Sequence, residues 1–566
     1  MYFDFLVKVP EGTGKITLNR RDGVSYVEYT YERRYIPEKR YNVPKRTTIG
    51  KLSDKDQTLM YPNPNFIKYF PEVELPEEKD RSCRSGCLRI GAYTVIKKII
   101  KEYALDDMMN RIIGRDSGLF LDLAAYSIIT ENNAGQYYPD YGYSHPLFTN
   151  GMRIYSDSKV SDFLSGLTSD QSIGFLNEWN TCRNHREKIY ISYDSTNKAC
   201  QAGDIEIAEF GHSKDGKDYP VFNFSVAYDR NNREPLFYEE YPGSIVDMSQ
   251  LQLMLEKARG YGYRNAGFIL ARGYFSKSNI RFMDRNHYDF VIMVKGMKKL
   301  VREIILEKRN TFEDDRDSHI RQYKTYGTTI KRKMFPSDEK ERYFHLYYSS
   351  IKHANEQEQL ETKIDRQKKS LKKCFGKVRE MDKSFGHYFT PIYYHEGKED
   401  QLLQAVQEKK DVIQEEIRLC GYFCIITSKA MSAKDALVLY KSRDESEKLF
   451  RGDKSYLGNG TLRVQTDEAV EAKIFVEFVA LVIRNKIYTS LKDAVLEDDN
   501  KANYMNVPAA IRELEKIEMI RQTDGEYRLD HAVTATQKAI LKAFKMDAAY
   551  IQNEAAKIRD ILRGNV

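Results

Sequence analysis

Four residues near the C-terminal third have types and spacing suited to handling a phosphodiester: Tyr440-x2-Arg443-x3-Glu447-x6-Lys454. On one continuous helix Tyr440, Arg443 and Glu447 stand at i, i+3 and i+7 and share a stripe, and Lys454 returns to it if the helix runs past Gly452. The stripe offers a phenol, a bidentate phosphate donor, a carboxylate and a point charge. A salt-bridged solvated face uses the same residues. Metal-dependent phosphodiester chemistry also uses them, with an acid for the metal and Arg and Lys holding the phosphates on either side. A second acid, Asp194, ends the apolar run KIYISYD. A carboxylate closing an apolar strand is costly to bury unless it binds something, so Asp194 reads as a metal ligand or a helix cap.

These four residues match the Y-x2-R-x3-E-x6-K signature of the insertion-sequence transposases of the IS-four group, and the chain resembles that family over roughly residues 1 to 545. YDSTN at 193–197 is similar to its first-Asp strand, PGSIVD at 242–247 to its P-G-x-x-x-D turn, and ARGYFS at 271–276 to its second-Asp motif. TLRVQTDEAVEAKIFVEFVALVI resembles the segment after the Glu helix, particularly in the longer relatives of the IS-sixteen-thirty-four type. The resemblance implies an RNase H-like catalytic core with a DDE metal triad. Asp194 and Glu447 would be two of the three acids, and a two-metal Mg2+ site, in which Mn2+ can substitute, would activate water or a 3′-hydroxyl. Arg443 and Lys454 would clamp end phosphates with Tyr440 beside them, and Arg272 is a further candidate for that service.

The chain departs from the family pattern at one place. The family's second-Asp motif runs apolar-apolar-Asp-Arg-Gly-Tyr/Phe, whereas this chain reads Phe268, Ile269, Leu270, Ala271, Arg272, Gly273, Tyr274. Ala271 holds the position of the second catalytic Asp, and a methyl group cannot ligate a cation. Asp247 is the nearest acid in sequence, but the family places it at the start of a helix after the P-G turn. An introduced alanine and an inherited one both fit, and the otherwise intact motifs favour the former. Relatives with a hairpin mechanism often use an aromatic residue of an insertion, commonly Trp, to hold a flipped base. The single Trp here, Trp179, precedes the catalytic strands. Phe335, Tyr343 and Tyr347 are the aromatic candidates in its place, with core packing the default use of each.

The function this implies is a cut-and-paste DNA transposase. It binds terminal inverted repeats and target DNA as double-stranded partners, acts as a homodimer in the DNA complex, and is inactive as written because of Ala271. The rival is a non-catalytic, transposase-derived DNA-binding protein or repressor, supported by the same alanine. The implied location is cytoplasmic, nucleoid-associated, in a bacterium or archaeon.

The elements that must position these residues follow from hydrophobic rhythm. Residues 188–296 hold strands in KIYISYD, PVFNFSVAYD and EPLFYEEY, a helical stretch from Asp247 to Gly260, the apolar run AGFILA, a second helix in SKSNIRFMDRN and the run YDFVIMVKG. This predicts the first part of the core: an α/β mixed fold with a mixed five-stranded sheet flanked by helices. Residues 297–418 read as an insertion with strands in TTIKRKMF and RYFHLYYSS and charged helices, one of which, ETKIDRQKKSLKKCFGKVRE, has 8 Lys+Arg against 3 Asp+Glu. Residues 419–489 complete the core with GYFCIITS, the signature helix and a buried helix around Phe475. Residues 1–60 read as a basic β-rich DNA-binding region, 61–89 as a proline-rich linker, 90–187 as a helical DNA-binding or dimerisation domain, and 490–566 as a helical tail with a hairpin turning at Asp524-Gly525.

Bulk properties bound the rest. At 566 residues the chain has room for several domains of roughly 150 residues each. Apolar residues at 41% and charged residues at 31% exclude global disorder and fibrous repeats. The net charge of +7 is too small over this length to identify a nucleic-acid partner, but residues 1–51 carry 11 Lys+Arg against 6 Asp+Glu. There a solvated hairpin and a DNA-facing arm are equally good readings. Seven scattered cysteines and no apolar leader suggest a reducing compartment, and Cys83-x3-Cys87 lacks the second ligand pair that a zinc site needs. The most apolar run, Ile474 to Ile483, carries Glu477 and is too short to span a bilayer.

Overall fold

The computed structural model describes residues 2–3, 5–12, 15–21, 23–37, 40–53, 56–73, 84–183, 187–200, 205–210, 219–295, 297–376, 384–396, 400–458, 460–462, 464, 466–497 and 505–564. The chain forms two compact units, one of residues 176–452 and one of residues 1–175 with 453–566. Cys83 lies outside the described residues.

The unit of residues 176–452 is built on one mixed sheet. Its strands are β1 (Ile189–Cys200), β2 (Val221–Asp229), β3 (Glu234–Pro242), β4 (Ala266–Leu270), β5 (Asp289–Met293), β6 (His319–Ile320), β7 (Thr325–Lys333), β8 (Glu341–Tyr348) and β9 (Tyr422–Thr427). They lie in the order β6-β7-β8-β9-β5-β4-β1-β2-β3. Strands β1 to β3 form an antiparallel meander, while β4 runs parallel to β1 and β5 parallel to β4. The order β3-β2-β1-β4-β5 with these directions is the five-stranded RNase H-like arrangement expected from the sequence. Every residue of β2 is buried, as a central strand covered on both faces requires.

Local chemistry fixes the connections. Gly267 in β4 faces Tyr190 of β1, and a Cβ there would come 2.5 Å from the Tyr190 ring. Gly243, in the P-G turn after β3, backs onto the Val221 carbonyl so closely that any side chain would collide with it. The helices Asp247–Gly260 and Lys277–Arg285 then alternate with β4 and β5, as the hydrophobic rhythm predicts. Within segment 297–418, β7 and β8 extend the same sheet through β9. The helix Ser350–Lys372 and the hairpin Phe389–Glu396/Asp400–Glu408 follow, with a small core of Ile364, Leu371, Tyr388 and Phe389.

The other unit opens with a five-stranded antiparallel sheet made from Val7–Lys8, Ile16–Arg21, Val24–Ile36, Tyr41–Leu52 and Leu59–Pro62. Its core is Val7, Val27, Ile49, Leu52, Met60 and Phe66. The proline-rich stretch supplies Phe66 from a short helix, Pro64–Tyr69. Asn63 caps that helix, and Pro64 starts it where a missing N–H costs nothing. Helices between Gly91 and Gly166 and the 31-residue helix Asp467–Glu497 bury apolar faces on one another, with the Phe120 and Phe475 rings 4.6 Å apart. The expected buried helix around Phe475 is the middle of that long helix. The Asp524-Gly525 hairpin forms as expected, with Gly525 at φ +84°, and pairs with Cys87–Arg89. Among the described residues no helix is long and apolar enough to cross a membrane.

Candidate active site

Asp194 does not close its strand, as the sequence suggested. Strand β1 continues to Cys200 because residues Asp194 to Ala199 stay paired with Val226 to Val221 of β2. Pairing with β4 on the other side stops at Tyr193 and Leu270. Asp194 therefore stands where one neighbour ends and the other continues, at the carboxyl end of a parallel pair. Ala271 follows Leu270 and begins a one-turn 3-10 helix, Arg272–Tyr274. Extending the register by one residue sets Ala271 next to Asp194, on the same face of the sheet.

The signature segment is also not one helix. It forms two, Ala433–Lys441 and Asp444–Tyr456. The Ser442 hydroxyl bonds back to the Leu439 carbonyl at 2.6 Å, a local alternative to helix propagation, and Asp444, Glu445 and Glu447 suit the positive N-terminus of the second helix. Arg443 sits in the break between them. Its guanidinium donates through Nη1 to Asp194 Oδ2 at 3.1 Å and through Nη2 to Glu447 Oε1 at 2.5 Å. The structure thus brings Asp194, Arg443 and Glu447 together, with Ala271 one residue past the end of the β1–β4 ladder. The side chain of Arg443 is 18% exposed, Asp194 15% and Glu447 49%. Burial opposes the charge on Arg443, but Asp194, Tyr440, Glu447 and Asp444 outweigh it and the pKa is raised.

Tyr440 occupies a different environment. It ends the first helix inside an apolar cluster with Ile269, Val291, Ile425 and Leu437. Burial raises its pKa, with smaller effects from Arg443, Asp194, Glu447 and Arg272. Arg443 lies 5.6 Å from the centre of its ring. Tyr440 thus supports the guanidinium from the core side rather than standing on a solvent-facing stripe. Arg272 is exposed, one residue beyond Ala271. Lys454 lies in the last turn of the Glu447 helix, which does run past Gly452. Asp247 is the first residue of the helix Asp247–Gly260, and its side chain lies outside what the structure describes.

Sequence reasoning missed two contacts that hold this arrangement. Ser446, next to Glu447, donates to Ser192 Oγ at 2.8 Å, and both are buried. Ser192 shares the Asp194 face of β1 by strand alternation, so this bond ties the Glu447 helix to the Asp194 strand. Tyr193 bonds Ser225 on β2 at 2.6 Å, and its ring lies 5.4 Å from that of Tyr274 in the turn after Ala271. A serine within an apolar strand was the available signal, but it names no partner. Of the aromatic candidates, Tyr347 is core, with its hydroxyl on the Ala433 carbonyl. Phe335 is half-buried under the Lys277 ammonium, and Tyr343 is half-buried. Trp179 is buried with its indole N–H on the Pro235 carbonyl.

The arrangement tests which cations the site can hold. Two carboxylates converge on one guanidinium, so the position between them already accommodates positive charge. Among the described residues no group of three His, Cys, Asp or Glu side chains could share an ion. The residues fit one divalent cation in place of Arg443, and without a third acid they do not fit a close pair of cations, whose mutual repulsion needs more carboxylate to offset it.

No curated protein matches the chain. Among solved structures the chain is similar to a piggyBac transposase seen by cryo-EM in a synaptic complex with hairpin DNA. The identity is 9% and the TM-score 0.34, over 83% of this chain and 82% of that one. The family model described as "Transposase DDE domain" matches residues 181–483, more than half of the 566 residues, and the chain belongs to that family.

Proposed function

We propose that this chain is a DNA transposase of the IS-four group that binds terminal inverted repeats as a homodimer, and that Ala271 leaves it unable to cut or join strands. Asp194 and Glu447 are the surviving metal-binding acids. The observation that carries this reading is the register that sets Ala271 beside Asp194, together with the Arg443 bridge from Asp194 to Glu447. A divalent cation, Mg2+ or Mn2+, would supply Lewis-acid activation of the attacking oxygen. The chain's own residues do the rest. Ser446 and Ser192 fix the spacing between the two acids, Tyr440 packs under Arg443, and Arg443 bridges the two acids and offsets half of their charge; Asp194 and Glu447 are the residues that would hold the cation. Arg443, Lys454 and Arg272 are the cations that would bind the phosphates of the DNA end.

The test is binding and cleavage on a labelled duplex carrying the repeats that flank the coding sequence. Affinity should fall steeply with salt, with a residual preference for the repeat over random DNA. No nicked or joined product should form with Mg2+. Equal affinity for repeat and random DNA at every salt concentration would count against the transposase reading. Ala271 also favours a second reading, a transposase-derived repressor. Under it, repeat binding persists and strand cleavage stays absent after Ala271→Asp.

A further inference from the structure

The strands Val24–Ile36 and Tyr41–Leu52 are longer than the sheet they belong to. Ile16–Arg21 pairs only with residues 24–29 of the first, and Leu59–Pro62 only with residues 50–52 of the second. Thr30 still bonds the Lys15 carbonyl through its N–H, and beyond it, from Glu32 to Ile36 and from Tyr41 to Lys45, the two strands pair only with each other. That stretch is a two-stranded ribbon projecting beyond its sheet, exposed on both faces over most of its length. Isolated hairpins are marginal in water, and this one shows Tyr35 at 57% and Tyr41 at 56% exposure. Residues 30–47 carry six Lys and Arg against two Glu. Lys45 pairs with Glu32 at 2.6 Å, whereas Arg40 and Arg46 form no ion pair among the described residues.

Alternation sorts the ribbon's side chains. The pairs Tyr35 with Asn42 and Arg33 with Pro44 share one face, and Ile36 with Tyr41 and Arg34 with Val43 share the other. The first face thus offers a guanidinium, a phenol and an amide in one patch, the groups that hydrogen-bond base edges. Arg40 at the tip and Arg46 near the base flank it. A two-stranded ribbon is about 5 Å across its backbones, and with side chains it matches the B-DNA major groove, about 12 Å wide. It does not match the minor groove, about 6 Å wide, or the deep, narrow major groove of A-form RNA.

We propose that the ribbon of residues 30–37 and 40–47 enters the major groove of duplex DNA, with Arg33, Tyr35 and Asn42 toward the base edges and Arg40 and Arg46 on the phosphates of the two groove walls. The inference deepens the DNA-binding part of the proposed function, but its test needs neither cleavage nor metal. Binding of the full chain to a mixed-sequence duplex of about three helical turns is measured against salt for the natural protein and for Arg40→Ala/Arg46→Ala. Each lost phosphate contact flattens the slope of log K against log salt by about 0.9, so the double variant flattens it by about 1.8. Relative to 1 M salt, that is about eightfold in affinity per arginine at 0.1 M. Methyl green, which fills the major groove, should compete; netropsin, which fills the minor groove, should not, and an RNA duplex should bind more weakly. Arg33→Ala/Asn42→Ala should lose guanine N7 protection from dimethyl sulfate, which the Arg33 guanidinium supplies, while keeping the salt slope. These side chains are exposed, and an unchanged circular dichroism spectrum and melting temperature control for folding. An unchanged slope in the arginine variant, displacement by netropsin, or equal affinity for RNA would overturn the proposal, whatever the outcome at the acids.

Discussion

Replacing Ala271 by Asp adds a carboxylate beside Asp194, about one strand spacing or 4.8 Å away when the β1–β4 register is extended by one residue. Two like charges at that distance repel by about 3.5 kcal/mol at the effective dielectric constant of about 20 suited to partly buried sites. Arg443 already serves two acids and offsets part of this, which leaves a cost of about 1–3 kcal/mol in the metal-free protein. A divalent cation reverses the sign, because the third acid then adds attraction. The Ala271→Asp variant should therefore melt below its parent without metal and gain more from Mn2+, about 2.7 kcal/mol at a metal concentration a hundred times Kd. Ala271→Asn, equal in size to that variant and uncharged, should show neither effect. On a labelled terminal-repeat duplex with Mg2+ or Mn2+, Ala271→Asp should recover nicking. A further Glu447→Ala should abolish it and leave binding largely intact. Efficient cleavage by the Ala271 protein would sink the assignment and redirect attention to Asp247. If Ala271→Asp proved no more sensitive to metal than the Ala271→Asn control, the electrostatic argument itself would fail.

Arg443→Ala removes the bridge between Asp194 and Glu447 and should destabilise the metal-free protein by about 1–4 kcal/mol; thermal unfolding should show Mn2+ restoring part of the loss, and an unchanged melting temperature would place Arg443 in solvent. Tyr440→Ala should cost about 3–5 kcal/mol as a core truncation, whereas Tyr440→Phe should be close to neutral in denaturant unfolding. His345, buried between the Thr329 and Thr427 hydroxyls, has its pKa pushed down to about 4 by burial. A depressed histidine contributes stability above its unfolded value of about 6.5 that is lost as pH falls toward about 4. NMR titration of the imidazole should show it neutral at about pH 5.5, and a midpoint above about 6 would contradict the burial argument.

Much of the fold was legible because the core strands are apolar runs separated by polar turns. KIYISYD, PVFNFSVAYD, AGFILA and YDFVIMVKG each became a strand of the expected mixed sheet. The ends of elements were less legible, because partners rather than local residues set them. Nothing in STNKAC says that β1 continues, and only its ladder with β2 carries it to Cys200. The signature stripe failed at Ser442-Arg443 for a related reason. Spacing of three and four assumes an unbroken helix, but the break frees Arg443 from the stripe and lets it reach an acid on β1. A one-dimensional motif recorded which residues matter and misstated how they face one another.

Ala271 was legible only as a mismatch, and the geometry gives that mismatch a physical meaning. The bridge sets one guanidinium against two carboxylates, a net charge of −1; an Asp at 271 would make it −2 at a partly buried position. A metal-free fold is better served by alanine, and a catalytic site by the acid. Sites that bind cations are commonly held at some cost to the stability of the empty protein. Losing the acid should therefore stabilise the empty fold while removing its chemistry. On the function proposed above, this accounts for intact core strands, a Ser446–Ser192 tie and an Arg443 bridge around an alanine at position 271. A sequence that kept those contacts only for stability would also tolerate Glu447→Gln, whose amide oxygen still accepts from Arg443. One that kept them for metal should lose Mn2+ stabilisation with that same substitution.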